Sequence, residues 1–249
     1  MILPQTNLFN QSDLLIAFGT KQDGLFGRRS SAIDKAEKNN RLDFYQQLGI
    51  DSARVIEMMP NHFSRVKIIS GMDDSIGNFD ALATDIENLY FSLATADCVP
   101  LVLYESTKRI VVLAHIGWRG VVFGLPQKIV KKIIKEFILD PKSIRVYLGP
   151  SVEMACYRQK GFKGIIKALL FFLSGNRLAF NYYRSAFRFD LNAGIINQLT
   201  IRGLKIENME INGGCTVCQT TIFPSNFREK KTRKTSLITV VGLKNKSFL

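Results

Sequence analysis

The chain has 249 residues, of which 46% are hydrophobic and 22% charged, and this composition excludes a disordered chain. Its formal net charge of +13 favours anionic partners, such as phosphorylated small molecules or nucleic acid, although solubility alone also explains such a balance. The four cysteines are too few for a disulfide scaffold, and the sequence has neither a bilayer-spanning apolar run nor a signal pattern. We therefore expect a cytoplasmic protein without a membrane partner.

The predicted elements mix helices, strands and hairpins. In chain order we expect a short helix at 41–49, strands at 53–70, a polar loop at 71–81, strands at 88–96 and 109–115, a helix at 125–137, a strand at 143–150, helices at 164–173 and 190–204, and a strand at 236–243. The helix at 125–137 has one apolar face, and the helix at 164–173 is apolar enough to be buried. The pattern predicts an α+β fold, layered as α/β, with a mixed β-sheet covered by helices in a single domain over 1–249.

The segment TADCVPLVLYESTKRIVVLAHIGWRG, residues 95–120, contains Cys98 and, on the far side of a short polar stretch, His115. A two-residue turn at 106–107 would give a hairpin whose register places Cys98 opposite His115. Directly opposed residues share a face, with Cβ atoms ~4.5–5.5 Å apart, so one metal ion could bind both side chains. Pro100 could shift this register, and a buried cysteine that happens to face a core histidine is the alternative interpretation.

The chain's second histidine extends this candidate site. His62 lies in the strand-like segment PNHFSRV and could supply a third ligand, and three ligands with an open position are typical of a catalytic zinc site. Cys215 and Cys218 form a lone C-x-x-C motif. A structural zinc there needs two more soft ligands and only Cys156 remains, so we interpret the motif as a loop or strand start that does not bind the catalytic metal.

Two motifs, TADCVP at 95–100 and HIGWRG at 115–120, carry a family resemblance. Similar segments are DALATD at 80–85, LGPSVEMACY at 148–157, the helix at 190–203 and CTVCQTTIFPSNFR at 215–228. Over most of its length the chain resembles the laccase-domain family, also called multicopper polyphenol oxidase-like proteins and purine nucleoside phosphorylases. The resemblance implies a mixed-sheet layered fold, a zinc ion held by His62, Cys98 and His115, and phosphorolysis of purine nucleosides, with adenosine deamination and methylthioadenosine cleavage in the same site.

The resemblance also points to phosphate ligands. Arg41, Arg119 and Arg228 match family positions, and the forked donors of arginine suit phosphate, although surface ion pairs are the alternative for each. The usual Tyr-Arg-Arg of the family is replaced by Asn226-Phe227-Arg228, and the N-terminal loop at 19–24 also departs from the pattern. These departures lie at positions expected to shape the substrate end of the site.

Proton transfer would need a carboxylate close to the metal ligands. Asp80, Asp97 and Glu153 are the candidates, and Asp80 joins Cys98 and His115 in the expected catalytic set. Asp97 is disfavoured because it precedes Cys98 in a strand, so that its side chain should point to the opposite face.

Several functions remain open beside a zinc-dependent phosphorylase. The resemblance also implies a peptidoglycan precursor-editing enzyme as an alternative, since some bacterial members of that family are linked to this role. A polyphenol oxidase is disfavoured, because two histidines cannot supply several copper centres, and copper is disfavoured as cofactor for the same reason. A basic, non-catalytic nucleic-acid-binding protein should interleave exposed aromatics with Lys and Arg, and NYYRSAFRF at 181–189 fits this only loosely. The expected partners are therefore purine nucleosides and phosphate.

Overall fold

The structure is a computed structural model that describes residues 1–3, 8–9, 13–24, 26, 35–72, 77–211, 214–229 and 236–245. The strands are β1 (Leu14–Phe18), β2 (Val55–Glu57), β3 (Val66–Ile68), β4 (Ala81–Thr84), β5 (Leu89–Thr95), β6 (Val99–Glu105), β7 (Ile110–Ile116), β8 (Arg145–Leu148), β9 (Arg158–Gln159), β10 (Phe180–Tyr183), β11 (Ala186–Phe189), β12 (Met209–Ile211) and β13 (Leu237–Leu243). The α-helices are α1 (Lys35–Gln47), α2 (Trp118–Val122), α3 (Leu125–Phe137), α4 (Gly161–Leu173) and α5 (Leu191–Ile201).

The described strands form three sheets. One has the order β1-β13-β5-β2, the second β12-β8-β6-β7-β4-β3, and the third β10-β11-β9. Most neighbours are antiparallel, whereas β2–β5, β3–β4 and β8–β12 are parallel. The predicted α+β class is confirmed, with the difference that the strands divide among three sheets instead of one.

The two larger sheets pack face to face between layers of helices. Residues of β13 alternate between two cores, because Leu237 and Val241 pack toward the six-stranded sheet while Ile238 and Val240 pack with α1. The other face of the six-stranded sheet packs against the helices α2, α3 and α5. Burial on both faces explains why β13 is a continuous apolar run rather than an alternating one.

The helices follow the sequence pattern unevenly. Helix α3 has the predicted bounds and buries its apolar face. The expectation that the helix at 164–173 is buried was wrong, because α4 buries only Gly164, Lys167, Ala168 and Phe171. Its other apolar side chains, Phe162, Ile165, Ile166, Leu169, Phe172 and Leu173, are exposed. No described helix has the length and apolar character needed to cross a membrane.

The hairpin of β6 and β7 differs from its prediction by two residues. Glu105 pairs with Ile110 and Pro100 pairs with His115, so the turn contains four residues instead of two. Arg109 takes a left-handed conformation with φ of 54° and forms an ion pair of 2.9 Å with Asp13. This tertiary contact favours the longer turn, since the sequence ESTK lacks the Gly and Asn residues that a two-residue turn prefers.

Candidate functional site

Three side chains that the sequence analysis singled out as metal ligands come together beside Gly117. A Cβ atom built on Gly117 would lie 3.0 Å from Cys98 Sγ, 3.7 Å from His62 Nδ1 and 3.8 Å from His115 Cε1. The rings of His62 and His115 have centroids 4.6 Å apart. Because the hairpin register is shifted by an even number of residues, Cys98 and His115 keep the same face and meet diagonally instead of directly. A Cβ atom at position 117 would crowd the Cys98 sulfur, so the glycine leaves room for this convergence.

Asp80 lies close to both histidines. Its Oδ1 accepts a hydrogen bond of 2.8 Å from the backbone amide of His62, which has φ of 63°, and lies 3.7 Å from His115 Nδ1. Burial opposes ionisation of Asp80, but its interactions with His115 and with the amides of His62 and Arg65 prevail and lower its pKa. Asp80 therefore stays ionised near neutral pH, and its negative charge acts on His115.

The electrostatics of His115 suit a cation between these residues. Burial alone would lower the pKa of His115, but the negative charges of Cys98 and Asp80 raise it to about 9. A metal ion at this place would replace the proton that these two negative groups attract. A histidine backed by a carboxylate through its other ring nitrogen is also the usual arrangement around zinc.

The three candidate ligands do not form a compact set. Their ligand atoms do not all lie within 4.8 Å of one another, so a ligand must move before one ion can bind all three. His62 lies in the loop between β2 and β3, whereas Cys98 directly precedes β6 and His115 lies in β7.

A buried lysine lies next to this cluster, and the sequence analysis missed it. Lys167 Nζ donates a hydrogen bond of 2.9 Å to Tyr157 Oη and lies 5.0, 4.7 and 5.2 Å from the ring centroids of Trp118, Tyr157 and Phe189. Burial lowers its pKa to about 8 and the charge of Arg119 acts in the same direction, against the opposing charge of Cys98. In the sequence Lys167 looks like one residue of an apolar helix, and no local motif marks it.

Lys167 also lines a pocket of about 630 Å³ that we call the cationic pocket. The lining includes the rings of Tyr157, Tyr183 and Phe227 and the positively charged side chains Arg158, Lys160, Lys167, Arg184 and Arg188. No acidic residue is among the described residues that line it. Such a pocket attracts an anion and offers aromatic surface beside it.

The three arginines expected to bind phosphate have different surroundings. Arg119 is exposed, with its guanidinium 5.0 Å from the Trp118 ring, and its charge reaches Lys167. Arg41 is buried in α1 and interacts with Tyr45, in the core on the far side of the β1-β13-β5-β2 sheet. The surroundings of Arg41 therefore differ from the expectation, because the candidate ligands lie on the other sheet.

Arg228 makes its hydrogen bonds within the 214–229 loop. Its Nη1 donates to the carbonyl oxygens of Thr216 and Val217 at 2.8 and 2.9 Å, and its Nη2 donates to Phe223 O and to Glu229 Oε1 at 2.8 and 2.7 Å. These bonds use the guanidinium N–H donors that a bound phosphate would need. Arg228 therefore holds the loop that carries Phe227 into the cationic pocket.

The remaining carboxylate candidates are also accounted for by structure. Asp97 accepts hydrogen bonds of 2.7 Å from the Thr216 hydroxyl and 2.6 Å from the Phe227 amide, so it binds the 214–229 loop. The expectation placed Asp97 in a strand, but it lies in a bend between β5 and β6 with φ of 78°. Glu153 is exposed, and its backbone carbonyl accepts bonds from the amides of Cys156 and Tyr157.

The C-x-x-C motif has a neighbour that the sequence did not reveal. Cys156 lies beside Cys215 and Cys218, and the three ligand atoms are within 4.8 Å of one another. The sequence analysis treated Cys156 as the one remaining cysteine and therefore as too few partners for a structural zinc at the motif. The separation of 59 residues between Cys156 and Cys215 gives no sequence signal of this contact.

Comparisons with known proteins agree with this fold. The model of the family described as multi-copper polyphenol oxidoreductase laccase matches residues 26–244. A Bacillus subtilis protein named purine nucleoside phosphorylase YlmD is 26% identical over 96% of this chain and 92% of its own length. A protein named adenosine deaminase RL5, from an unknown prokaryotic organism, is 29% identical over 47% of this chain and 48% of its own.

A solved structure of YlmD from Geobacillus stearothermophilus superposes with a TM-score of 0.85 at 20% identity, over 96% of this chain and 94% of that one, and it supports the fold alone. The family model covers most of the chain, including all the residues that converge beside Gly117. The chain belongs to the multi-copper polyphenol oxidoreductase laccase family.

Proposed function

We propose that this chain is a zinc-dependent purine nucleoside phosphorylase, with zinc held by His62, Cys98 and His115. The observation that carries the proposal is the convergence of these three side chains beside Gly117, close to the cationic pocket. The name of the Bacillus subtilis relative supports the substrate class. When bound, zinc supplies a Lewis acid that polarises an oxygen of the substrate.

The residues around the ligands have distinct tasks in this proposal. Asp80 keeps the His115 ring oriented, and its lowered pKa makes it a permanent negative charge rather than a proton carrier. This replaces the catalytic role expected for Asp80 by one of positioning. Tyr157 and Phe227, whose ring centroids are 6.0 Å apart, give the purine or ribose apolar surface at the wall of the pocket.

Phosphate binds, in this proposal, between Lys167 and Arg119. In phosphorolysis a phosphate oxygen forms a bond to C1′ of the ribose while the bond from C1′ to the purine nitrogen breaks and the base leaves with the electron pair. The ammonium of Lys167 lacks a nearby carboxylate among the groups that shift its pKa, so an anion would neutralise it. A charge-assisted contact of this kind also orients the attacking oxygen.

The test is incubation of the purified protein with adenosine or inosine, with and without phosphate, followed by chromatography. We expect free base and ribose 1-phosphate only when phosphate is present, and none from Cys98→Ala. Lys167→Met should need more phosphate for the same release, and Lys163→Met is its matched control, because Lys163 is an exposed lysine on the same helix. No base release by the wild type would contradict the proposal and favour the precursor-editing alternative.

Adenosine deamination is a second candidate in the same site, favoured by the similarity to the protein named adenosine deaminase RL5. The same chromatogram separates the two reactions, because deamination converts adenosine to inosine without any need for phosphate. Inosine formed in both arms, and abolished by Cys98→Ala, would support this second activity. Its absence from both arms would remove it.

A further inference from the structure

The three cysteines outside the proposed zinc site form a compact cluster of their own. Cys156 lies in the loop between β8 and β9, and Cys215 and Cys218 lie in the loop after β12. The Sγ atoms of Cys156 and Cys218 are 3.0 Å apart, and all three sulfurs lie within 4.8 Å of one another. Among the residues that the structure describes, this is the group of three cysteine, histidine or acidic side chains that meets this distance criterion.

The backbone brings the two loops together at Cys215. Ser151 and Cys215 form a parallel bridge, and the amide of Thr216 donates to Ser151 O at 3.0 Å. Cys215 is buried and Cys156 is half-buried, whereas Cys218 is exposed. A thiolate is the form of cysteine that binds metal.

The spacing of the three sulfurs restricts what they can do. Three sulfurs this close must keep their protons, form a disulfide or share a cation. A disulfide needs an S–S distance of about 2.0 Å and uses two of the three, whereas one tetrahedral ion with bonds of about 2.3 Å uses all three at S–S distances of about 3.8 Å.

We propose that Cys156, Cys215 and Cys218 bind a second divalent metal ion of the zinc class, separate from the His62, Cys98 and His115 site. Cys218 is exposed, so the fourth position faces solvent and is open to water or a small ligand. Soft thiolate ligands select zinc over magnesium or calcium.

This ion would join the two loops that border the proposed active site. The amide of Thr216 donates to Ser151 O at 3.0 Å, and the Thr216 hydroxyl donates to Asp97, the residue before Cys98. Arg228 binds the carbonyl oxygens of Thr216 and Val217, which lie between the two cysteines of the motif. The second metal therefore fixes the loop from which Phe227 enters the cationic pocket.

Metal analysis of protein purified under reducing conditions tests the proposal without relying on activity. We expect two zinc equivalents per chain in the wild type and one in Cys218→Ser. Cys218 is exposed, so this substitution should leave the fold intact. The matched variant Cys98→Ala should also keep one equivalent, held by the three cysteines. When this variant is loaded with Co²⁺, its spectrum should show thiolate charge-transfer bands that the Cys98→Ala, Cys218→Ser double variant loses.

Three outcomes would overturn the second site. One is a folded Cys98→Ala protein that binds no metal, and another is a Cys218→Ser protein that keeps both equivalents. The third is a Cys156–Cys218 disulfide, seen in the mass of the unreduced protein, whose reduction leaves a protein that takes up no second ion. Circular dichroism of each variant separates loss of metal from loss of fold.

Discussion

Replacing Lys167 by methionine should stabilise the folded protein at neutral pH and weaken its use of phosphate. Burial lowers the pKa of Lys167 from 10.5 to about 8, which corresponds to a cost of about 3 kcal/mol at about 1.4 kcal/mol per pH unit. Contacts with three aromatic rings offset roughly 1–2 kcal/mol of this cost. Methionine fills the same space without a charge, so we expect a net gain of about 1–2 kcal/mol in the free energy of unfolding.

The pH dependence gives the sign of this effect. Below pH 8 Lys167 is charged in both folded and unfolded chains, and the folded state bears the full cost. Between about 8 and 10.5 the unfolded chain holds more protons at this residue, so its contribution to stability rises with pH. The advantage of the variant should therefore be largest at neutral pH and disappear as pH rises above 10.5.

Urea unfolding of wild type and Lys167→Met at about pH 7 and about pH 10 measures this difference. Phosphate should raise the unfolding midpoint of the wild type and not that of the variant, and the KM for phosphate should rise about 10- to 150-fold. Lys163→Met should change neither quantity. Two results would refute the proposal that Lys167 is a buried cation without a counter-ion that binds phosphate. One is a variant less stable than the wild type at neutral pH, and the other is a variant whose unfolding midpoint still rises with phosphate.

Three further substitutions test the site. Cys98→Ala should lose one zinc equivalent, measured by metal analysis, and full retention would contradict its role as ligand. Asp80→Asn should weaken zinc binding about 10- to 100-fold in a chelator competition, because His115 loses its negative partner, and unchanged affinity would remove Asp80 from a positioning role. Arg228→Ala should lower the free energy of unfolding by about 2 kcal/mol because the contacts with carbonyl oxygens are lost. The KM for phosphate should change by less than about tenfold. A large increase in this KM at unchanged stability would support Arg228 as a phosphate ligand.

Local sequence patterns were sufficient where packing agrees with them. The period of apolar residues predicts α3 with its observed bounds, and the continuous apolar run predicts β13 as a strand. The turn after β6 was mispredicted because Arg109 is drawn into a left-handed conformation by Asp13, which lies 96 residues away in sequence. Rules for short turns use only the residues of the turn and its neighbours, so they cannot take this ion pair into account.

The site was predictable to the extent that its residue types are rare. His62, Cys98 and His115 stand out because the chain has two histidines and four cysteines. Lys167 was missed because lysine is common in this chain, and its burial is decided by the packing of α4 against distant aromatic rings. The carbonyl contacts of Arg228 could not be predicted either, since a matching position in a motif does not reveal which carbonyl oxygens its guanidinium meets.

The distribution of soft ligands connects the two proposed metal sites. Both histidines and all four cysteines of the chain belong to one of two clusters. A hydrogen bond between Thr216 and Asp97 connects the chain segments that carry these clusters. Asp97 precedes Cys98 in the first cluster and accepts a bond from Thr216, which follows Cys215 in the second. A shift of the cysteine loop would therefore act on the backbone beside Cys98 and on Phe227, whose amide also binds Asp97. Loss of the second metal should thus affect the substrate end through Asp97 even though none of the three cysteines contacts the reacting atoms in the proposed mechanism.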